Sequence, residues 1–238
     1  MQRRNFLAGA AALAAAPALA QTPAQTSAPA QTAAPAPAPA PATPAAPAPV
    51  AAPLSPPPPR PGTVRVRIDT QLGHITLDLE ARKAPLTTAN FLRYVDQKRY
   101  DKATFYRCSR PPNATDYEYG VVQGGLQNDP KLILPPVAHE STVKTGLKHL
   151  NGAISMGRRA PGTATSDFFI CVGDQAYLDA DPSQPGDNKG FACFGYVVDG
   201  METVKKILAL PVSPTAGVGV MKGEMLKKPL AMKARRVA

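Results

Sequence analysis

The sequence predicts a mainly β protein in which eight short strands form a closed antiparallel barrel, capped by two α-helices. Short runs rich in aromatic, β-branched or cysteine residues recur along the chain, each bounded by Gly, Pro, Asp or Lys, as is typical of strands. Only two stretches have the apolar periodicity of a helix. A closed barrel is favoured because closure leaves no exposed sheet edge.

Composition separates the N-terminal quarter of the chain from the rest. The 238 residues include 28 prolines, most of which precede residue 62. Residues 63–238 are predicted to form one domain with enough chain to bury a core. The formal net charge of +10 is partly terminal, and no stacking aromatic residues are interleaved with the basic ones. This pattern argues against a nucleic-acid-binding surface.

Residues 1–20 have the pattern of an export signal. Arg3 and Arg4 precede a short, alanine-rich apolar run that ends in Ala18-Leu19-Ala20. This predicts a signal peptide cleaved after Ala20 and a periplasmic protein, since the run is too short to favour a membrane span. The paired arginines favour twin-arginine export, with an ordinary secretory signal as the alternative.

Residues 21–62 consist almost wholly of Ala, Pro, Thr, Gln and Ser. Such a segment buries too little apolar surface to offset its ordering entropy, so we expect a disordered spacer. A proline-rich ligand for a partner is the less favoured alternative.

The elements of the domain follow in order. Apolar and polar residues alternate over 64–68 and 75–80 around a turn at 71–73, which predicts a β-hairpin with one buried face. Pro85 suits the first turn of a helix. The apolar face predicted for that helix is Leu86, Ala89, Phe91, Leu92 and Val95. A second helix is predicted over 201–210, and the other strands over 105–108, 121–123, 153–156, 168–172, 191–198 and 230–234.

The three cysteines, Cys108, Cys171 and Cys193, all lie in predicted strands. Buried thiols are favoured, and a Cys171–Cys193 bridge is the alternative. The three histidines have no metal-like spacing with the cysteines, so no metal site is predicted.

The order of six motifs resembles that of the cyclophilins, the peptidyl-prolyl isomerase family. The resemblance covers residues 64–237, and its motifs are Phe105-Tyr106-Arg107, Val122-Gln123-Gly124-Gly125, residues 151–156, residues 166–171, Tyr177-Leu178-Asp179 and Phe194-Gly195. It implies a monomeric isomerase without a cofactor, acting on proline-containing segments. With an export signal, those segments would belong to exported proteins.

Arg107 matches the catalytic arginine of that family. Rotation of an X-Pro bond must break amide resonance, and a hydrogen-bond donor aimed at the prolyl nitrogen would favour the twisted state. Arginine suits this role because it stays charged and its fork is rigid. By resemblance, the substrate-binding residues are Gln123, Val121, Phe169, Leu178, Tyr177, Asp167, Gly157, Arg158 and Phe191. Phe168 is predicted to point to the opposite face from Phe169.

Several positions depart from the family pattern. Gly120 stands where a pocket phenylalanine is usual, which leaves part of the socket missing unless Tyr117 or Tyr119 fills it. Asp167 replaces a glutamine and could pair with Arg107 or position it. The loop at 108–122 is long, Arg158 and Arg159 replace small residues, and Phe191 replaces a histidine. The alternative function is therefore a weakly active or inactive peptide-binding or scaffold module.

Overall fold

The computed structural model describes residues 58–237. The predicted signal peptide at 1–20, and the predicted spacer up to residue 57, lie outside the described residues. No helix among residues 58–237 is long and apolar enough to cross a membrane.

Eight strands form a closed antiparallel barrel, as the sequence predicts. Around the barrel the strand order is β1-β2-β7-β5-β6-β4-β3-β8. The strands are β1 Val64–Thr70, β2 Gly73–Leu79, β3 Thr104–Ser109, β4 Gly120–Gly125, β5 Ala153–Met156, β6 Phe168–Val172, β7 Ala192–Asp199 and β8 Met225–Arg236. The α-helices are α1 Pro85–Asp96, α2 Thr142–Thr145 and α3 Met201–Leu208, and short 3-10 turns lie at Arg99–Lys102, Ala176–Leu178 and Gly219–Met221. The sequence missed the four-residue α2, which is too short to show a period.

The first hairpin pairs Val64 with Leu79 and Ile68 with Ile75, and its apolar residues face the core. The prediction of a single buried face is incomplete. Arg65 and Asp78 lie opposite each other on the second face and are buried too. The Arg65 guanidinium donates to both carboxylate oxygens of Asp78, at 2.7 and 3.0 Å, which compensates the burial of both charges.

The apolar face predicted for α1 is confirmed at Phe91, Leu92 and Val95, which are buried, and wrong at Leu86 and Ala89, which are exposed. Leu86 is 47% exposed, whereas Thr87 and Thr88 are buried. Burial of Thr87 is tolerated because both its N–H and its hydroxyl donate to Glu140, at 2.8 Å each. Phe91 at the centre of the helix packs against the rings of Tyr100, Phe168 and Phe194. The second predicted helix is present as α3, and its Val204, Ile207 and Leu208 are fully buried.

The three cysteines are buried free thiols, so the Cys171–Cys193 bridge is absent. Burial raises the pKa of Cys108 and of Cys193 to about 12. Within residues 58–237 no cluster of His, Cys, Asp or Glu could hold a metal ion.

Candidate active site

The predicted site residues lie on one outer strip of the barrel. Arg107 on β3 is opposite Gln123 on β4, and Gln123 is opposite Phe169 on β6. Residues directly opposite each other in a sheet share a face, so the strip runs across three neighbouring strands. Phe168, one step along β6, contacts the core rings of Phe91, Tyr100 and Phe105. The predicted opposition of Phe168 and Phe169 is therefore confirmed.

A β-bulge in β3 brings an additional group to this strip. The register of β3 against β4 shifts between Phe105 and Arg107, so Tyr106 is the extra residue. Gln123 Nε2 donates to the Tyr106 hydroxyl at 2.7 Å, and Gln123 Oε1 accepts from Arg107 Nη1 at 2.7 Å. The amide of Gln123 is thus fully oriented by its two neighbours.

The Arg107 guanidinium is held on two sides. Besides Gln123, it contacts Glu224, which accepts from Arg107 Nε at 2.8 Å and lies 2.6 Å from Nη2. A guanidinium carries five N–H donors. These contacts leave at least one N–H on Nη1 and one on Nη2 without a partner among residues 58–237. The Arg107 side chain is 20% exposed, so these contacts leave part of it uncovered.

Glu224 was missed by the sequence analysis. Of the two roles considered for Asp167, a pairing with Arg107 is not present among residues 58–237. The Asp167 carboxylate instead accepts the backbone N–H of Gln127 at 2.9 Å. The available signal was indirect: Glu224 is an isolated acidic residue in a basic C-terminal region, directly before β8. Only the β3–β8 pairing, which sets Arg107 opposite Met225, brings it to the site.

Phe169 is buried in a small cluster of aromatic rings on this face of the barrel. Its ring meets that of Phe191 edge to face, with centroids 5.3 Å apart, and stacks on His149 at 6.0 Å. His149 is buried between Asp179 and Ser155, at 2.7 and 3.0 Å, so it forms a fixed support for the ring. Three other residues that were predicted to bind substrate differ in their burial. Val121 is buried, Leu178 is partly buried against the core, and Tyr177 is 71% exposed.

A cavity of about 710 Å³ is lined by Tyr106 and Gln123, the two neighbours of Arg107 on the strip. The segment before β8 and the segment between β5 and β6 both contribute to its lining. The lining residues are Tyr106, Gln123, Gln127, Asn128, Gly157, Arg158, Arg159, Thr163, Asp167, Gly217, Val218, Met221 and Met225. The predicted site residues Gly157, Arg158 and Asp167 are therefore grouped here, and Arg158 joins the cavity to the aromatic cluster through the Phe191 ring.

The profile of the family described as "Cyclophilin type peptidyl-prolyl cis-trans isomerase/CLD" matches residues 64–225. The chain belongs to the cyclophilin family. It is a peptidyl-prolyl cis-trans isomerase by that membership and by its relatives. A "Peptidyl-prolyl cis-trans isomerase A" of Dickeya dadantii is 38% identical over 148 residues, which are 61% of this chain and 71% of the relative. A "Peptidyl-prolyl cis-trans isomerase" of Acinetobacter baylyi is 34% identical over 62% of this chain and 73% of the relative.

Solved structures share the cyclophilin fold at lower identity. A cyclophilin of Cryptosporidium parvum, 20% identical, matches with a TM-score of 0.55 over 74% of this chain and 98% of its own. The same protein, solved in the presence of the dipeptide Ala-Pro, matches with a TM-score of 0.54 over 73% of this chain and 99% of its own.

The departure at Gly120 has a structural cause in this cyclophilin. Gly120 has a φ of +150°, and a Cβ there would collide with the carbonyl oxygen of Ser109. A phenylalanine cannot occupy this position without movement of the backbone. Of the two tyrosines considered as replacements, Tyr117 lies under the Arg110 guanidinium, 5.3 Å from its ring centroid, and Tyr119 packs against Gly173.

The side chain of Arg158 is already engaged. Its guanidinium donates to both oxygens of Asp187, at 2.6 and 3.0 Å, and to the carbonyl of Gly190. It also lies over the Phe191 ring, 5.1 Å from the centroid, and only 5% of the side chain is exposed. Arg158 therefore anchors the cavity wall and Phe191, while its contact with substrate stays a prediction. Arg159 beside it is exposed.

Asp167 should make the stability of this cyclophilin depend on pH. Burial raises the pKa of its carboxyl from 3.8 to about 6, although backbone N–H groups oppose the rise. Between pH 3.8 and about 6, Asp167 keeps its proton in the folded protein but has lost it in the unfolded chain. Raising the pH through this range therefore lowers the free energy of unfolding. Relative to Asp167→Asn, we expect the wild type to lose roughly 2–3 kcal/mol of unfolding free energy as pH rises from about 4 to about 6.

Urea unfolding of both proteins across this pH range measures the difference directly. A constant difference between wild type and Asp167→Asn would contradict the raised pKa. Other acidic groups titrate in both proteins, so their contributions cancel in the comparison.

Proposed function

We propose that this isomerase accelerates X-Pro rotation by directing the free N–H donors of Arg107 at the prolyl nitrogen, and that its substrates are exported proteins of the periplasm. The observation that carries the proposal is the Arg107 guanidinium. It is held between Gln123 and Glu224, retains free donors, and shares one strip of the barrel with Phe169.

The chemistry requires no covalent step. Planar amide resonance sets a barrier of about 18–20 kcal/mol, and spontaneous exchange of an X-Pro bond takes tens to hundreds of seconds. Twisting the bond returns the lone pair to the prolyl nitrogen, which then becomes a hydrogen-bond acceptor. A donor from Arg107 binds this twisted state more strongly than the planar one, and that difference lowers the barrier.

The neighbouring side chains divide the binding task. In our proposal the proline ring occupies an apolar recess beside Phe169, bordered by Phe191, Val121 and Leu178. Gln123 contacts the substrate backbone and keeps Arg107 oriented. The cavity lined by Gly157, Arg158 and Asp167 accommodates chain next to the X-Pro pair, and Tyr177 contributes an exposed ring at the other side. The related fold solved in the presence of Ala-Pro supports a proline-containing ligand.

The periplasmic assignment rests on the sequence of residues 1–20. We expect the mature chain to begin at Gln21 and to act as a monomer on slow proline steps of exported proteins. N-terminal sequencing of the protein from a periplasmic fraction tests the cleavage site and the location. Sedimentation of the purified protein tests the monomeric state. An uncleaved chain in the cytoplasmic fraction would contradict the assignment.

The experiment that tests the catalytic proposal is cis-to-trans exchange of a panel of X-Pro tetrapeptides. We expect the purified protein to shorten exchange from minutes to seconds at micromolar concentration, with a rate proportional to enzyme. Peptide binding measured by calorimetry without any acceleration would instead identify a binding module and overturn the proposal.

A further inference from the structure

The backbone of Glu224 is fixed beside the strand that carries Arg107. The Glu224 carbonyl accepts from the backbone N–H of Cys108 at 2.9 Å, and the Glu224 N–H donates to the carbonyl of Met221 at 3.1 Å. Met225, the next residue, pairs with Arg107 in the barrel ladder. The carboxylate therefore projects from an anchored position, which is the requirement for a group that orients another.

Both oxygens of the Glu224 carboxylate are engaged. One accepts from Arg107 Nε at 2.8 Å and lies 2.6 Å from Nη2, and the other accepts from the Ser109 hydroxyl at 2.6 Å. Ser109 thus restrains the rotation of the carboxylate. Charge-assisted hydrogen bonds of this kind are about twice as strong as neutral ones.

Glu224 and Gln123 grip different nitrogens of the same guanidinium. Gln123 accepts from Nη1, while Glu224 contacts Nε and Nη2. Two anchors at different points fix the plane of the group, which neither could do alone. A free arginine side chain samples many rotamers, and ordering it costs conformational entropy. Fixing its plane in advance removes this entropic cost from the step in which the amide twists.

We propose that Glu224 is a positioning residue for the isomerase reaction: it holds the Arg107 fork so that the remaining N–H groups face the twisted prolyl nitrogen. The proposal rests on the catalytic role of Arg107 given above. The opposite role, in which Glu224 withholds Arg107 from substrate, predicts that removing the carboxylate would raise activity.

Three variants separate these roles. We expect Glu224→Ala to lower kcat about tenfold with little change in peptide affinity, because the carboxylate contacts Arg107 and not substrate. Glu224→Gln retains an acceptor without the charge, so a smaller loss of about threefold is expected. Glu202→Ala is the matched control, since it removes an 81% exposed carboxylate on α3 whose cation partner is Lys205, and it should leave kcat unchanged.

A double-mutant cycle distinguishes positioning from a structural role. In an Arg107→Ala background, Glu224→Ala should cause no further loss of rate, because it acts only through Arg107. Independent losses in the double variant, or a gain of activity in Glu224→Ala, would overturn the proposal. If Arg107→Ala is itself as active as the wild type, the catalytic proposal fails separately.

A spectroscopic readout is independent of turnover. The Arg107 Nε–H is bonded to Glu224, so its ¹⁵N-resolved signal should be protected from solvent exchange in the wild type and exchange at least tenfold faster in Glu224→Ala. Equal exchange in the two proteins would show that Glu224 does not fix the guanidinium in solution.

Discussion

Arg107→Ala is expected to reduce kcat/KM for X-Pro peptides by about 100-fold or more, because it removes the donor that favours the twisted amide. Loss of a single oriented donor in a catalytic site typically costs about 10²–10³ in rate. The cost should fall mainly on kcat, since the proposed proline site beside Phe169 is left unchanged by the substitution.

The rates of these variants are measured by cis-to-trans exchange of X-Pro tetrapeptides, coupled to a protease that cleaves only the trans form. Two further variants serve as comparisons. Arg107→Lys keeps the charge but loses the rigid fork, so it should recover little activity. Arg67→Ala removes a surface arginine paired with Asp69 and should retain wild-type rates. Circular dichroism must show a folded Arg107→Ala protein. A folded variant that keeps most of its activity would refute the role of Arg107.

Phe168→Ala is expected to destabilise the protein by about 3–5 kcal/mol, the usual cost of removing a fully buried phenylalanine ring. The ring is inaccessible and meets three others, Phe91, Tyr100 and Phe105, at centroid distances of 5.4 to 6.0 Å. The surrounding barrel cannot collapse onto the cavity, because its strands are tied to one another around a closed circuit. Urea unfolding measures the loss.

The adjacent residue provides the matched comparison. Phe169→Ala removes the same ring from the outer face, where it contacts Phe191 and His149. We expect a smaller loss of stability than for Phe168→Ala, together with a clear rise in KM. Equal losses of stability in the two variants, with KM unchanged in both, would place Phe169 in the core and remove it from the proposed recess.

The barrel was predictable because its strands are short, rich in aromatic, β-branched or cysteine residues, and bounded by residues typical of turns. The errors arose where burial depends on a distant polar partner. The first turn of α1 was predicted wrongly because Thr87 is buried through Glu140, which lies 53 residues away. In the same way, the second face of the first hairpin is buried through the Arg65–Asp78 pair. Local hydrophobicity contains no signal for either arrangement.

The residues of the site could be predicted where each of them lies within one of the recognised sequence motifs. Arg107, Gln123 and Phe169 come together as expected, since they lie on adjoining strands. The partner of Arg107 was not found, because Glu224 lies 117 residues further along the chain and outside the recognised motifs. The engagement of Arg158 by Asp187 likewise depends on how two loops fold together.

The strip that carries Arg107, Gln123 and Phe169 limits how sequence changes can alter the site, because these three residues lie on adjoining strands. Neighbouring strands of a sheet lie about 4.8 Å apart. The backbone positions of Arg107 and Phe169 are therefore two strand spacings apart, a separation set by backbone hydrogen bonds rather than by side chains. Insertions in the loops around the groove can alter which chains enter. The strand positions of Arg107 and Phe169 stay constant as long as the barrel closes, while the side chains of Gln123 and Glu224 set the direction of the Arg107 fork.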